Sequence, residues 1–256
     1  MPEPSLISLK DIDKRFANGV MALRGVRLDV AEQEFVSLLG PSGCGKSTVL
    51  RVIAGLESAD AGEVRRLSSN RAETAFVFQD PTLMPWASVF DNVWLPLRLA
   101  HASRAASADK IQAVLRRVGL AGFESAFPAE LSGGMRMRAS IARALVTEPR
   151  LMLMDEPFAA LDEFTRHQLN DDLLSCWQAQ RFATIFVTHS VLEAVFLSQR
   201  VLVMGQRPGR VVADMRIDEP YPRAAAFRTS PRYHAACTEL NAALARLHAD
   251  VDQVVR

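Results

Sequence analysis

The sequence contains no apolar run approaching the roughly 18 residues needed to cross a bilayer, so no membrane-spanning helix is expected. Cysteine is scarce: Cys44, Cys176 and Cys237 are scattered over 256 residues, with no C-x-x-C pair. An odd, dispersed set excludes a disulfide framework and fits a reducing compartment. Excess charge is also missing. Thirty Lys and Arg against 29 Asp and Glu leave a net charge of +1, which gives no basic field for nucleic acid. The opening Met1-Pro-Glu-Pro-Ser5 has no basic segment followed by an apolar one. No signal peptide is therefore read, and a cytosolic chain, able to sit on a membrane partner, is expected. There is no internal repeat and no low-complexity tract. The rest is ordinary for a globular protein, 49% hydrophobic and 23% charged. The length suits one large α/β domain or a core with a subdomain.

What stands out is Gly40-Pro41-Ser42-Gly43-Cys44-Gly45-Lys46-Ser47-Thr48. It follows the short apolar run Glu34–Leu39, which reads as a strand, and precedes Val49–Ala54, which reads as a helix. Strand, glycine-rich turn and helix is the context that makes G-x-x-x-x-G-K-S a phosphate site. Glycines let successive N–H groups curl around an anion, and the helix N-terminus adds partial positive charge. Lys46 would reach the β- and γ-phosphates and Ser47 would ligate Mg²⁺. A disulfide at Cys44 would disrupt that loop. A nucleoside triphosphate is the expected ligand.

Along the chain, Leu6–Ile12 and Met21–Val30 alternate partially and read as antiparallel strands joined at Asn18-Gly19. Short strands are expected at Gly62–Val64 and Ala75–Phe78, the latter ending at Gln79. From Ser88 to about Leu145 the pattern is helical, with Ile111, Val114, Leu115 and Val118 as one stripe and Ile141, Ala144 and Leu145 as another. Leu151–Met154 reads as a central parallel strand. A helix (about Glu163–Ala179), a strand (Ala183–Val187), a short helix (Leu192–Leu197) and two strands (Arg200–Met204, Gly209–Ile217) follow. The tail has Leu240, Leu244 and Leu247 at helical spacing.

Two further motifs carry chemistry. The apolar run Leu151–Met154 closes on Asp155 and Glu156. A carboxylate at the end of such a strand can hold Mg²⁺ through water, and the next one can orient or deprotonate an attacking water. Leu131-Ser132-Gly133-Gly134-Met135 precedes a helix expected to begin near Arg136, a second anion-binding helix terminus. One nucleotide does not need two such ends from one subunit. Two copies arranged head to tail would use both.

Over about residues 5–217 these motifs, in this order, resemble the ATPase subunit of an ATP-binding cassette transporter. The resemblance implies a RecA-like P-loop α/β core with an antiparallel β subdomain and an inserted helical subdomain (about 88–147), then a C-terminal helical extension (218–256). It implies ATP and Mg²⁺ as ligands, with Gly40–Thr48 as Walker A, and Asp155 and Glu156 as Walker B and the catalytic carboxylate. Leu131–Met135 would be the family signature, and Gln79 the Q-loop glutamine that senses Mg²⁺ and the membrane partner. Asp162, in Ala160-Leu161-Asp162, would line the dimer seam. His189 would be the switch histidine near the γ-phosphate, and Phe16 the aromatic on adenine. Ser47, Gln79 and Asp155 would face the metal.

A single cassette without a fused membrane segment is similar to the importers of this family. It would be a peripheral protein on the cytoplasmic face of the membrane, dimeric with itself or a related cassette, on a separate permease served by a solute-binding protein. The stretches Val77–Trp86 and Glu193–Phe196 resemble the nitrate, sulfonate and taurine branch. Departures from the family pattern are Met135 in place of Gln, Ala160 in place of Ser, Ser190 in place of Asp, and a short Gly62–Gln79 segment that would trim the antiparallel sheet. Leu83–Trp86 reads either as subdomain core or as a dock for the membrane partner. The rival class is a soluble cassette ATPase acting on ribosomes or DNA. It would call for tandem cassettes, a coiled-coil insertion or a basic surface.

Overall fold

The computed structural model describes residues 5–66, 73–206 and 208–254. Along the chain the elements are β1 (Ser5–Arg15), β2 (Met21–Ala31), β3 (Phe35–Leu39), α1 (Lys46–Ala54), β4 (Ala61–Arg66), β5 (Thr74–Val77), α2 (Val89–Leu99) and α3 (Arg104–Arg117). They continue as α4 (Gly133–Leu145), β6 (Leu151–Asp155), α5 (Glu163–Gln180), β7 (Ala183–Thr188), α6 (Val191–Leu197), β8 (Arg200–Gly205), β9 (Arg210–Arg216) and α7 (Pro231–Val254). Two compact units form, Met1–Arg71 with Ala183–Arg256, and Ala72–Phe182.

The first unit holds an antiparallel sheet in the order β2-β1-β4. In β2, Val26, Leu28 and Val30 are buried while Arg27 and Asp29 face water, the period-two pattern of a half-solvated sheet. The turn between β1 and β2 is closed by the amide of Phe16 donating to the carbonyl of Val20 at 2.9 Å. The expected trimming of this sheet turns partly on residues 67–72, which lie outside the described residues. The same unit holds β3 between β7 and β8, all parallel, with β9 antiparallel to β8. All of β3 and all of β7 are buried, which is why their sequences run apolar without alternation.

In the second unit β5 and β6 pair in parallel, Val77 beside Met154. The expected stripe Ile111, Val114, Leu115 and Val118 is buried, as are Ile141, Ala144 and Leu145. The helical stretch opens at the Ser88 cap and is broken twice, before the Ser103 cap and around a 3₁₀ turn at Pro128–Glu130. The helix after the Ser-Gly-Gly motif begins at Gly133, not near Arg136. Ser132 accepts a hydrogen bond from the Met135 amide at 3.3 Å, and a serine cap is strong enough to draw two glycines into the first turn.

Candidate nucleotide site

In the first unit the buried strand β3 delivers the chain to the loop at Gly40, and α1 carries it away. A Cβ on Gly40 would meet the Met204 carbonyl oxygen at 2.6 Å and Cys44 Sγ at 3.0 Å, so only glycine fits there. Gly45 has φ +95°, and a Cβ there would meet Leu23 Cδ2 at 2.7 Å and the Ala22 carbonyl oxygen at 3.0 Å. Its backbone turns the loop into the helix and aims the first N–H groups of α1 into the curl. Lys46 is 4% exposed, and its ammonium donates to the carbonyls of Gly40 (2.8 Å) and Pro41 (3.0 Å), which holds the charge inside the loop. Cys44 and Thr48 are buried, Pro41, Gly45 and Ser47 half-buried, and Ser42 and Gly43 exposed. Behind them Val49, Leu50, Val52 and Ile53 anchor α1, at about 1.5–3 kcal/mol per buried side chain.

His189 is exposed directly after β7. Buried Thr188 on one side bonds the Glu193 carboxylate through its hydroxyl, and Ser190 on the other caps α6, accepting from the Glu193 amide at 3.3 Å. Serine and aspartate are equivalent caps. The departure at Ser190 therefore leaves this turn intact. Phe16 is half-buried in the turn leading into β2, whose residues Ala22 and Leu23 line Gly45. Lys14 Nζ lies 5.7 Å from its ring centroid.

The second unit carries the other motifs. Gln79 is exposed just beyond β5. Asp155 ends β6 and Glu156 follows, both half-buried. Glu156 has φ +46°, in the left-handed region that a residue with a side chain seldom adopts. A non-glycine residue held there costs about 1–3 kcal/mol, and such strain collects at functional sites. Leu131 is buried beneath exposed Ser132. Ser132 Oγ accepts from the Met135 amide on the exposed side of the cap. A Cβ on Gly134 would strike Thr165 Cγ2 at 2.6 Å, so that glycine lets α4 approach α5; Gly133 is half-buried above Leu161. Asp162 caps α5, accepting from the Thr165 amide at 2.9 Å and its hydroxyl at 2.6 Å. Those bonds, the hydroxyl's first, hold the exposed carboxyl below the ordinary aspartate range.

Residues 23–159 match the family model described as ABC transporter. The chain belongs to the ABC transporter ATPase family. It is 44% identical over 241 residues to the taurine import ATP-binding protein TauB of Rhizobium johnstonii, covering 90% of this chain and 91% of the relative. It is 45% identical over 223 residues to the aliphatic sulfonates import ATP-binding protein SsuB 1 of Pseudomonas syringae, covering 87% and 90%. Among solved structures, the dimeric cassette MJ0796 superposes with a TM-score of 0.74 at 31% identity, over 84% of this chain and all of that one. The same cassette in a post-hydrolysis state bound to ADP and phosphate gives 0.71 at 30% identity, again over 84% of this chain and all of that one. As a member of this family the cassette binds and hydrolyses ATP.

Three supporting residues escaped sequence reading. Gln206 donates to the Ser42 carbonyl at 3.0 Å, and Gly209 lies so close to the Gly40–Thr48 loop that a Cβ would sit 2.2 Å from the Cys44 carbonyl oxygen. This cassette thus braces its loop from the β8–β9 turn. Asn92, fully buried, accepts from the Met84 amide at 2.7 Å and donates to the Met84, Ala87 and Ser88 carbonyls, building the turn that leaves Trp86 76% exposed. A lone glycine and two amides carry no motif, so only a recurrent position in relatives could have marked them.

Proposed function

We propose that this cassette energises uptake of a small sulfonate or similar anion through a separate membrane permease, as a head-to-tail dimer on the cytoplasmic face. A solute-binding protein would deliver the anion. The observation that carries this reading is Ser132, exposed as the cap at the N-terminus of α4, on a chain closely related to taurine and sulfonate import proteins. Two such ends facing two phosphate loops would give a cassette dimer paired nucleotide sites, and the related cassette MJ0796 is dimeric. The rival, a cassette working on ribosomes or DNA, draws no support from these relatives.

The residues support Mg²⁺ as the nucleotide's metal. Among the described residues no cluster of three His, Cys, Asp or Glu could cage an ion alone. Mg²⁺ is typically held by one or two carboxylates and substrate phosphates, which suits Ser47, Asp155 and Gln79. When bound it would neutralise charge on the β- and γ-phosphates. Lys46 and the loop amides bind the phosphates, and Phe16 stacks on the base. Glu156 orients the attacking water, and His189 and the partner subunit's signature serine steady the transition state. In this reading residues 5–217 form the ATPase domain, 88–147 its helical subdomain and 218–256 an extension, with Asp162 at the dimer seam.

The permease would meet the second unit. An apolar groove of about 620 Å³ lined by Phe76, Phe78, Leu95, Leu99 and Arg143 opens on that unit, and Trp86 is exposed on it. Exposure of Trp86 favours the dock over the core reading of Leu83–Trp86. The test is uptake of labelled taurine, alkanesulfonates and nitrate by the native cell carrying Glu156→Gln. Loss of uptake of one of these anions is expected. Undiminished uptake of all three would refute the substrate class, and absent ATPase activity in the pure wild-type cassette would refute the enzyme.

A further inference from the structure

The segment beyond β9 has no counterpart among the ATP-site motifs, yet it is built onto α6. Arg223 is 6% exposed, and its guanidinium donates to the carbonyls of Val195 (3.0 Å), Phe196 (3.0 Å) and Ser198 (2.8 Å), and to those of Ile217 and Glu219. Tyr221 donates to the Leu197 carbonyl at 2.7 Å. Tyr233, on α7, donates to the Leu192 carbonyl at 2.9 Å, and Arg228 lies 3.5 Å from the ring centroid of Phe196.

These contacts meet a specific need. α6 has seven residues, too few for a helix to persist unaided. It ends at Ser198 in extended conformation, without the left-handed glycine that usually satisfies terminal carbonyls. The extension supplies those donors, and a cation at that end also opposes the helix dipole. A desolvated guanidinium is costly unless its donors are matched, and here they are. The other end of α6 carries the switch turn: Ser190 caps it, and Glu193 on its first turn bonds Thr188, so His189 is tied on both sides to the helix that the extension holds.

We propose that Arg223 and Tyr233 are positioning residues for His189, acting through α6, so that the extension sets the turnover rate of the cassette. This rests on reading His189 as the group beside the γ-phosphate. Displacing such a group by about an ångström costs up to about a hundredfold in rate.

The experiment uses the full chain with ring-labelled histidine. Tyr233→Phe removes one hydroxyl from the Leu192 carbonyl, and Arg223→Lys keeps the charge but loses the fork. Imidazole NMR signals and steady-state ATPase kinetics are read on both. His101 and His167, in the other unit, serve as internal references. The expected result is a shifted or broadened His189 signal with unmoved references, and kcat lowered about tenfold or more with the KM for ATP within about twofold. An unmoved His189 signal in folded Tyr233→Phe overturns the proposal, even if Arg223→Lys fails to fold. A moved signal with unchanged kcat also overturns the claim on rate; if His189→Ala then turns over normally as well, the fault lies with the catalytic reading of His189 rather than with the mechanical link.

Discussion

Arg143, near the end of α4, donates to the Thr82 carbonyl at 2.8 Å, and its second terminal nitrogen reaches the Pro81 carbonyl at 2.8 Å and Thr82 Oγ1 at 2.9 Å. The segment just past Gln79 is thereby fastened to the helix that Ser132 caps, and Thr82 is held at φ +47°. Arg143→Lys keeps a cation but loses the planar fork whose two terminal nitrogens span the Pro81 and Thr82 acceptors. It should lower unfolding free energy by about 1–3 kcal/mol and speed hydrogen exchange across residues 79–84. Urea unfolding and exchange mass spectrometry test this; equal values in both would show that the clamp contributes nothing.

Two loop glycines separate conformation from space. Gly43 has φ +77° with nothing within 4 Å of a Cβ, so Gly43→Ala should cost about 1–2 kcal/mol from backbone strain alone. At Gly45 the strain is joined by contact with Leu23 and the Ala22 carbonyl, which adds about 1–3 kcal/mol. Gly45→Ala should therefore be the more destabilised by urea titration and the weaker ATP binder. The reverse order would place the constraint on the exposed side of the loop.

Glu156→Gln retains the side-chain volume and removes the charge that would orient water. It should bind ATP with affinity within a fewfold of wild type, accumulate as an ATP-bound dimer in size-exclusion chromatography, and lose about 10²–10⁴ in kcat. Wild-type turnover would assign the water to another group.

Asp162 offers a pH signature. Its carboxyl lies below the ordinary aspartate value because Thr165 donates to it twice. A depressed folded value means that its stabilisation is fully present above the ordinary value of about 3.9 and is lost as pH falls through the folded one. Thr165→Val removes the hydroxyl bond and leaves the amide bond. Carboxyl NMR should show the Asp162 midpoint rising toward the ordinary value in that variant, and an unmoved midpoint would assign the depression elsewhere.

Most elements are legible in the sequence because each rests on local physics. Gly40–Thr48 needs only glycine conformations and a helix start, β6 declares itself by an apolar run closing on Asp155, and Ile111, Val114, Leu115 and Val118 by their period. α4 starts three residues before the expected Arg136 because a serine cap outweighs the poor helix propensity of two glycines. Tertiary structure decided what has no local cause. That Arg223 would close α6, that Arg143 would fasten the Thr82 turn, and that the β8–β9 turn would brace Ser42 all depend on partners many residues away. Asn92 holds a turn only a few residues before it, yet a buried amide leaves no periodic mark. A carbonyl accepts a donor wherever the fold brings one, and no pattern of residue types records which donor arrives.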